Sequence, residues 1–553
     1  MDKKRLPIGI SDFKEMIEDN YYYVDKTNFI AEILEKRAKA TLITRPRRFG
    51  KTLNMTTLKY FLDIKNAEEN KKLFQGLDIE ESKYMCEQGK YPVIYLTMKD
   101  CGGESYLEFL KKFKSLLSKL FDDYEYIMEK LNTRELKEFN KIWLEEEDGN
   151  YGESLKFLAE IVYKYTGLKP VVLIDEYDAP MIKANEYGYY EDIKELIGGF
   201  YGSALKDGIA AFSVITGILR IAKESIFSTL NNLEVSTILD KDYSYFGMEE
   251  WEVGNILKYY NLETTLEDTK IWYNGYLFGS KRMYNPWSIL SHCRLGELKE
   301  FWVNTSANKL IMKILEESDD KIKDIFYKLL KDEKVSTILN DYMIFGENYS
   351  DSTVLYLMFS AGYLTIDGLS EEWDDEYYIK IPNYEVKKYF KNTFIDIIGN
   401  NSKSSFADLE KALVRGKVSG IDSIEEEIQN MFLTSVSYHD GDKQEKFYHN
   451  LVLGMLIGLD RYFHVYSNRE EGLGRYDLAL EPKDKNRLGY IFEFKVAKST
   501  EEKDMNEAGT EALRQIDKKM YERGMRERGI SKIVKLGLVF SGKKLKFYER
   551  VVE

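Results

Sequence analysis

Two sets of residues in this chain have types and spacings suited to chemistry on phosphate. The first is Gly50-Lys51-Thr52, which closes the stretch TLITRPRRFGKT from Thr41 to Thr52. A β-branched run (Thr41 to Thr44), a basic turn (Arg45, Pro46, Arg47, Arg48) and then a helical pattern spell strand, loop, helix. In such a loop, backbone N–H groups at a helix N-terminus cradle phosphates. The lysine reaches the β- and γ-phosphates, and the threonine hydroxyl binds Mg2+. The usual spacing G-x-x-x-x-G-K-[ST] asks for glycine at position 45, where this chain has Arg45. Gly-Lys-Thr alone is a frequent accident, so the rest of the chain must supply a partner.

Lys169 to Asp178, KPVVLIDEYD, supplies one. Four apolar β-formers ending in acids describe a buried parallel strand whose carboxyl end reaches a site. There Asp175 would hold Mg2+ through water, and Glu176 would orient or deprotonate an attacking water. An acidic turn after a core strand is the plainer alternative. A further buried strand, Ile209 to Ile215, leads into Thr216 and, shortly after, Arg220. Thr216 would position the water and Arg220 would contact the γ-phosphate; either would serve equally as a helix cap, and Arg220 as a surface ion pair.

The second set is Asp477, Glu493 and Lys495. In the strand expected from Arg475 to Leu480, Tyr476, Leu478 and Leu480 share one face and Asp477 takes the other. In Ile491-Phe492-Glu493-Phe494-Lys495, the two phenylalanines point together while Glu493 and Lys495 share the opposite face. Adjacent strands would bring the trio together. Two hard carboxylates hold Mg2+ or Mn2+, the ion polarises a phosphodiester and activates water, and the lysine stabilises charge or helps deprotonate that water. Glu-x-Lys is weak alone in a chain so rich in both residues; an aspartate sixteen residues earlier on a matching face makes it stronger.

Positioning these groups requires sheets with helices around them. A helix from Asn28 to Lys39, with Phe29, Ile30, Ile33 and Leu34 at helical spacing, should cover the sheet that begins at Thr41. A second strand is expected at Pro92 to Met98, with helical patterns between and after. Trp272 to Trp287 is loop-like and aromatic, read as packing rather than a binding surface. From 353 to 398 a helix, a strand, an acidic turn (Glu371, Glu372, Asp374, Asp375, Glu376), a strand and a helix suggest a winged-helix-like module. Its acids would repel phosphates, which favours an interdomain or regulatory role. A helical connector from Phe406 to Phe432 precedes the C-terminal strands.

The composition, 44% hydrophobic and 31% charged over 553 residues, is that of a soluble globular protein with more than one core. Cys86, Cys101 and Cys293 offer no zinc spacing and fit a reducing compartment, so a cytoplasmic location is expected. No signal-peptide pattern and no run of about 18 apolar residues imply a membrane partner. A net charge of −14 argues against coating nucleic acid over the whole surface. From Lys495 to Glu553, however, fifteen Lys/Arg face ten Asp/Glu, which keeps a local basic site open.

YYYVDKTNFI, LITRPRRFGKT, VVLIDEYDAP, VITGILRIAKESIFSTLNNLE, YFGMEEWEV, WYNGYLFGSKRMYNPWSIL and FWVNTS, in this order, resemble the bacterial AAA-ATPase-like family. Its members commonly carry a C-terminal nuclease-like domain and typically read RPRRFGK[ST], so Arg45 is ordinary among them. The resemblance implies an AAA+/STAND-like P-loop fold binding ATP and Mg2+. Its phosphate loop would be Arg47, Arg48, Phe49, Gly50, Lys51 and Thr52, with Asp175 and Glu176 opposite. The C-terminal segment resembles the PD-(D/E)XK nuclease superfamily, with Tyr476 where the motif's name places proline. That resemblance implies a further acid at Glu445 near the metal and Gln515 near metal or phosphate, with helix capping and surface hydrogen bonding as the alternatives. Arg469 and Arg475 would contact phosphates or pair with Glu470 and Glu471.

The expected fold class is α/β in three parts. Residues 1–260 would be the ATPase domain, 261–400 a helical lid with the winged-helix-like module, and 401–553 an α/β restriction-endonuclease-like domain. The leading expectation is ATP-dependent control of a metal-dependent nuclease whose partner is nucleic acid, DNA first. The alternative is a nucleotide-dependent switch or scaffold that binds nucleic acid or a protein without cutting. AAA+-like proteins often form rings while STAND-like ones wait as monomers, so a homo-oligomer stays open.

Overall fold

The computed structural model describes residues 3–206, 208–221, 233–240, 243, 245–303, 320–330, 332–339, 350–370, 373, 376–398, 411, 413, 414, 425, 429, 452, 456, 459, 462–467, 470, 471, 474–542 and 544–552. The chain divides into two compact units. One is Met1–Ile314 with Lys334–Val386; the other is Leu315–Glu333 with Lys387–Glu553.

The first unit is built on a parallel sheet of β1 (Ala40–Thr44), β2 (Val93–Thr97), β3 (Val171–Asp175), β4 (Ser213–Gly217) and β5 (Leu233–Ser236), in the order β2-β3-β4-β1-β5. β1, β3 and β4 are buried at every residue, which is why they read as near-continuous apolar or β-branched runs. Parallel pairing aligns their carboxyl ends: Ile43 lies opposite Thr216, Thr44 opposite Gly217 and Thr97 opposite Asp175. A helix, Asn28–Lys36, buries Phe29, Ile30, Ile33 and Leu34; it stops three residues short of the expected end because Arg37 takes a left-handed φ of 48°.

β4 starts later than the expected Ile209. Its pairing begins where β1 begins, at Ala40 opposite Ser213, so residues 209–212 lead into the sheet and Thr216 becomes part of the strand. β5, too short and mixed to stand out in sequence, pairs along β1 from Leu233 to Ser236.

After the sheet come a hairpin of β6 (Tyr276–Phe278) and β7 (Lys281–Met283) and a helix, Pro286–Leu295. Tyr273, Tyr276, Phe278 and Tyr284 are buried, as packing demands. β8 (Val335–Ile338), β9 (Thr365–Leu369) and β10 (Glu376–Lys380) form an antiparallel sheet in the order β8-β10-β9, with the helix Asp351–Ser360 ahead of the β9–β10 hairpin. This is the helix-then-wing pattern of the middle segment. Glu371, Glu372, Asp374 and Asp375 lie outside the described residues.

The second unit holds β11 (Phe463–Ser467), the two-residue strands β12 (Glu470–Glu471) and β13 (Gly474–Arg475), β14 (Leu478–Pro482), β15 (Gly489–Val496), β16 (Ile533–Ser541) and β17 (Lys544–Val552). The mixed sheet runs β11-β14-β15-β16-β17, with only β15 and β16 parallel. The helix Glu502–Lys519 makes the crossover between them and buries Met505, Gly509, Ala512 and Ile516. Leu478, Leu480, Phe492 and Phe494 join one apolar cluster, while Tyr476, Ala479, Ile491, Ile516 and Tyr521 join another. Tyr476 therefore does not share a face with Leu478 and Leu480. The chain bends at Asp477 before β14 begins, and the two-residue alternation changes phase there.

Candidate functional site

The loop Arg45 to Gly50 leaves β1 and enters the helix Lys51–Leu62, whose N-cap Gly50 has φ 84°, a left-handed conformation that glycine adopts without strain. The first helical hydrogen bond runs from Asn54 N to Gly50 O at 3.0 Å, so the amides of Lys51, Thr52 and Leu53 precede the ladder and suit an anion. Lys51, almost buried, donates through Nζ to Arg45 O at 2.9 Å and Pro46 O at 2.8 Å. Burial pulls its pKa down, while Glu176 and Asp175 act the other way.

Asp175, at the end of β3, is 1% exposed and joins three elements. Thr52 Oγ1 donates to its Oδ2 at 2.7 Å, and Thr216 Oγ1 donates to its Oδ1 at 2.5 Å. A hydroxyl and a carboxylate in direct contact beside a lysine form a hard-oxygen set that fits Mg2+. Glu176 follows at φ 53°, left-handed for a non-glycine residue. Burial raises its pKa, opposed first by Lys51.

Other expected residues take varied places. Arg48, also left-handed at φ 67°, lies 4.3 Å above the Trp287 ring. The Arg47 carbonyl accepts from Asn285 Nδ2 at 3.4 Å. Phe49 is buried between Tyr276 and Phe278, each 5.0 Å away, so its ring anchors the loop. Arg220 donates its backbone N–H to Tyr356 Oη at 3.2 Å.

Two neighbours of the acidic strand end were not singled out in sequence. Asp178 Oδ2 accepts from Ile218 N at 2.8 Å and Leu219 N at 2.7 Å. Tyr177 Oη donates to Leu219 O at 2.8 Å and accepts from Ile221 N at 3.2 Å. Together they fix the turn after β4. The signal available was the full acid run Asp175-Glu176-Tyr177-Asp178.

In the second unit Asp477 and Glu493 come from neighbouring chain segments. Asp477 Oδ2 accepts from Phe494 N at 2.7 Å, and Lys495 Nζ donates to Glu493 Oε1 at 3.2 Å. Glu493 is 1% exposed. Burial raises the pKa of Asp477, opposed by the Phe494 amide and Lys495. A near-dry carboxylate and a second carboxylate beside one lysine fit a divalent cation. Among the described residues, no group of three His, Cys, Asp or Glu side chains is placed to hold a metal ion. Glu445 lies outside the described residues, as does Arg469.

Gln515 lies near the Tyr521 side chain, on which Glu493, Asp477 and Lys495 all act electrostatically. Tyr521 Oη donates to Arg475 O at 2.6 Å, holding the turn that presents Asp477. Arg475 stands opposite Glu470 in the β12–β13 pair.

Both regions match known families. Residues 7–227 match the model described as Predicted AAA-ATPase, and residues 443–550 match the PD-(D/E)XK nuclease superfamily. The chain carries an AAA-ATPase-like domain and, towards its C-terminus, a PD-(D/E)XK nuclease superfamily domain. It is similar to a protein of Azotobacter chroococcum mcd 1, described as an uncharacterized protein in the vnfD 5′ region. The two are 27% identical over 392 residues, 70% of this chain and 69% of the relative. Among the described residues no helix is long and apolar enough to cross a membrane.

Proposed function

We propose that the chain hydrolyses ATP and that its nucleotide state governs a metal-dependent nuclease acting on nucleic acid, with DNA as the substrate. The observation that carries the reading is that one chain holds both constellations: the Thr52–Asp175–Thr216 contacts at parallel strand ends, and Asp477, Glu493 and Lys495 gathered around β15.

In the first unit the amides at the start of the helix Lys51–Leu62 and the Lys51 ammonium bind the β- and γ-phosphates. Thr52 and Asp175 would hold Mg2+; Glu176 takes the proton of the attacking water. Thr216 fixes the Asp175 carboxylate, and Arg47, Arg48 and Arg220 add positive charge. In the second unit Asp477 and Glu493 would hold Mg2+ or Mn2+, Lys495 stabilises charge on the phosphodiester, and Gln515 with Tyr521 steadies the Asp477 turn. A divalent cation at either site supplies a Lewis acid for a phosphoryl oxygen and makes water more acidic. The reading takes residues 1–260 as the ATPase, 261–400 as the lid and winged-helix-like module and 401–553 as the nuclease, working in the cytoplasm.

The test is cleavage of single- and double-stranded DNA and RNA with Mg2+ or Mn2+, in ATP, ADP and no nucleotide. Cleavage should depend on nucleotide state and vanish in Asp477→Ala and Lys495→Ala while nucleotide binding persists. Lys51→Ala should abolish ATP hydrolysis. A protein that cuts none of these substrates under any condition contradicts the nuclease half and leaves the non-cutting switch.

A further inference from the structure

Arg45 occupies the place where a phosphate loop ordinarily has glycine, and its side chain leaves the loop for the protein interior. It is fully buried. Nη1 donates to Thr44 O at 2.8 Å and Ser236 O at 3.0 Å; Nη2 donates to Ser236 Oγ and Tyr243 O, each at 3.1 Å. The rings of Phe246 and Phe278 flank the guanidinium, with centroids 5.4 and 5.7 Å away. Burial pulls its pKa down to about 10, so it stays charged at neutral pH. A buried guanidinium is tolerated when its fork of donors meets oxygens, as here.

The backbone of the same residue sits at the centre of the nucleotide site. Arg45 N donates to Gly217 O at 3.1 Å, at the end of β4. Arg45 O is one of the two carbonyls that hold the Lys51 ammonium. Phe278, beside the guanidinium, also touches the Phe49 ring, and Gly247 N donates to Phe49 O at 3.0 Å. The loop is thus tied at its start and near its end to the segment that follows β5 and to the β6–β7 hairpin.

We infer that Arg45 is a positioning residue for the nucleotide: its guanidinium anchors the loop to Ser236 and Tyr243, holding it ready for phosphate, with Lys51 kept on the Arg45 and Pro46 carbonyls until a phosphate takes it. The inference rests on the nucleotide reading above. Arg45 touches no phosphate in this scheme; it acts through the loop. Without the anchor, the competent loop is populated for only a fraction of the time and the apparent affinity falls by that fraction. Once a phosphate is bound, the phosphate itself holds the loop, so turnover at saturation is kept. A purely structural Arg45 would alter stability and leave nucleotide affinity of the folded protein unchanged.

The experiment titrates ADP and ATP into the full-length wild type, Arg45→Met, Arg45→Ala and Ser236→Ala, and measures ATP hydrolysis. The expected result is about tenfold weaker binding in the Arg45 variants, with KM raised and kcat little changed, and a smaller weakening of the same kind in Ser236→Ala. Millimolar N-methylguanidinium should restore affinity to Arg45→Ala, while equal tetramethylammonium should not. Wild-type binding with unchanged affinity in folded Arg45 variants overturns the inference alone. If neither Arg45 variant folds, unchanged affinity in Ser236→Ala overturns it. A wild type that binds neither nucleotide overturns the nucleotide reading and the inference with it.

Discussion

Glu176 combines three properties at one position: a left-handed backbone, partial burial and a neighbouring lysine. Such a backbone costs about 1 kcal/mol or more in a non-glycine residue, and here it turns the chain between β3 and the helix Ala179–Glu186. With its pKa raised by burial, Glu176 loses its charge at a higher pH than an ordinary glutamate. The acid limb of the ATPase pH profile should therefore lie higher than an ordinary glutamate would set it, with the rate falling as pH drops through it. Glu176→Gln should lower the steady-state rate by about a hundredfold or more and leave ADP affinity, read by calorimetry, near wild type. At this scale Lys51, Thr52, Asp175, Asp477, Glu493 and Lys495 were legible because each belongs to a local pattern of type and spacing. Arg45, Asp178 and Tyr521 were not: their partners Ser236, Leu219 and Arg475 lie 191, 41 and 46 residues away. No periodicity announces such pairs.

The ends of β3 and β4 form a clamp. Asp178 and Tyr177 grip the turn Ile218–Ile221, and this brings them against Gly217, where an added Cβ would lie 2.6 Å from the Tyr177 ring and 2.9 Å from Asp178 Oδ1. Gly217→Ala should therefore cost about 1–3 kcal/mol, measured as a lower urea midpoint, and slow ATP hydrolysis by displacing Thr216. Element identity was legible where burial made long apolar runs, as in β1 and β3. It slipped where pairing rather than composition sets a boundary, as at the start of β4, and where a bend resets alternation, as at Asp477. Asp477 still reaches β15 from that bend, through the Phe494 amide.

Across the first unit, distant stretches are joined by Glu385. It is fully buried, accepts from Ser288 Oγ at 2.8 Å, Phe301 N at 2.6 Å and Trp302 N at 2.8 Å, and burial pushes its pKa up to about 7. The folded protein holds this proton more tightly than the unfolded chain, whose glutamate releases it near 4.5. The associated stability is thus present below that value and lost as pH rises to about 7, at most about 1.4 kcal/mol per pH unit. Glu385→Gln keeps an acceptor for the two amides and has no proton to lose. Urea unfolding from pH 5 to 8 should show the variant gaining on wild type as pH rises and levelling off above 7. The buried Arg45 also bears on which changes the molecule tolerates. A single change to glycine would empty a guanidinium-sized space between the Phe246 and Phe278 rings and strip donors from Ser236 and Tyr243. A loop with glycine there would be packed as well only if three separate stretches, at Ser236, Tyr243 to Phe246 and Phe278, changed with it. The arginine is a keystone shared by three stretches that are separate in sequence.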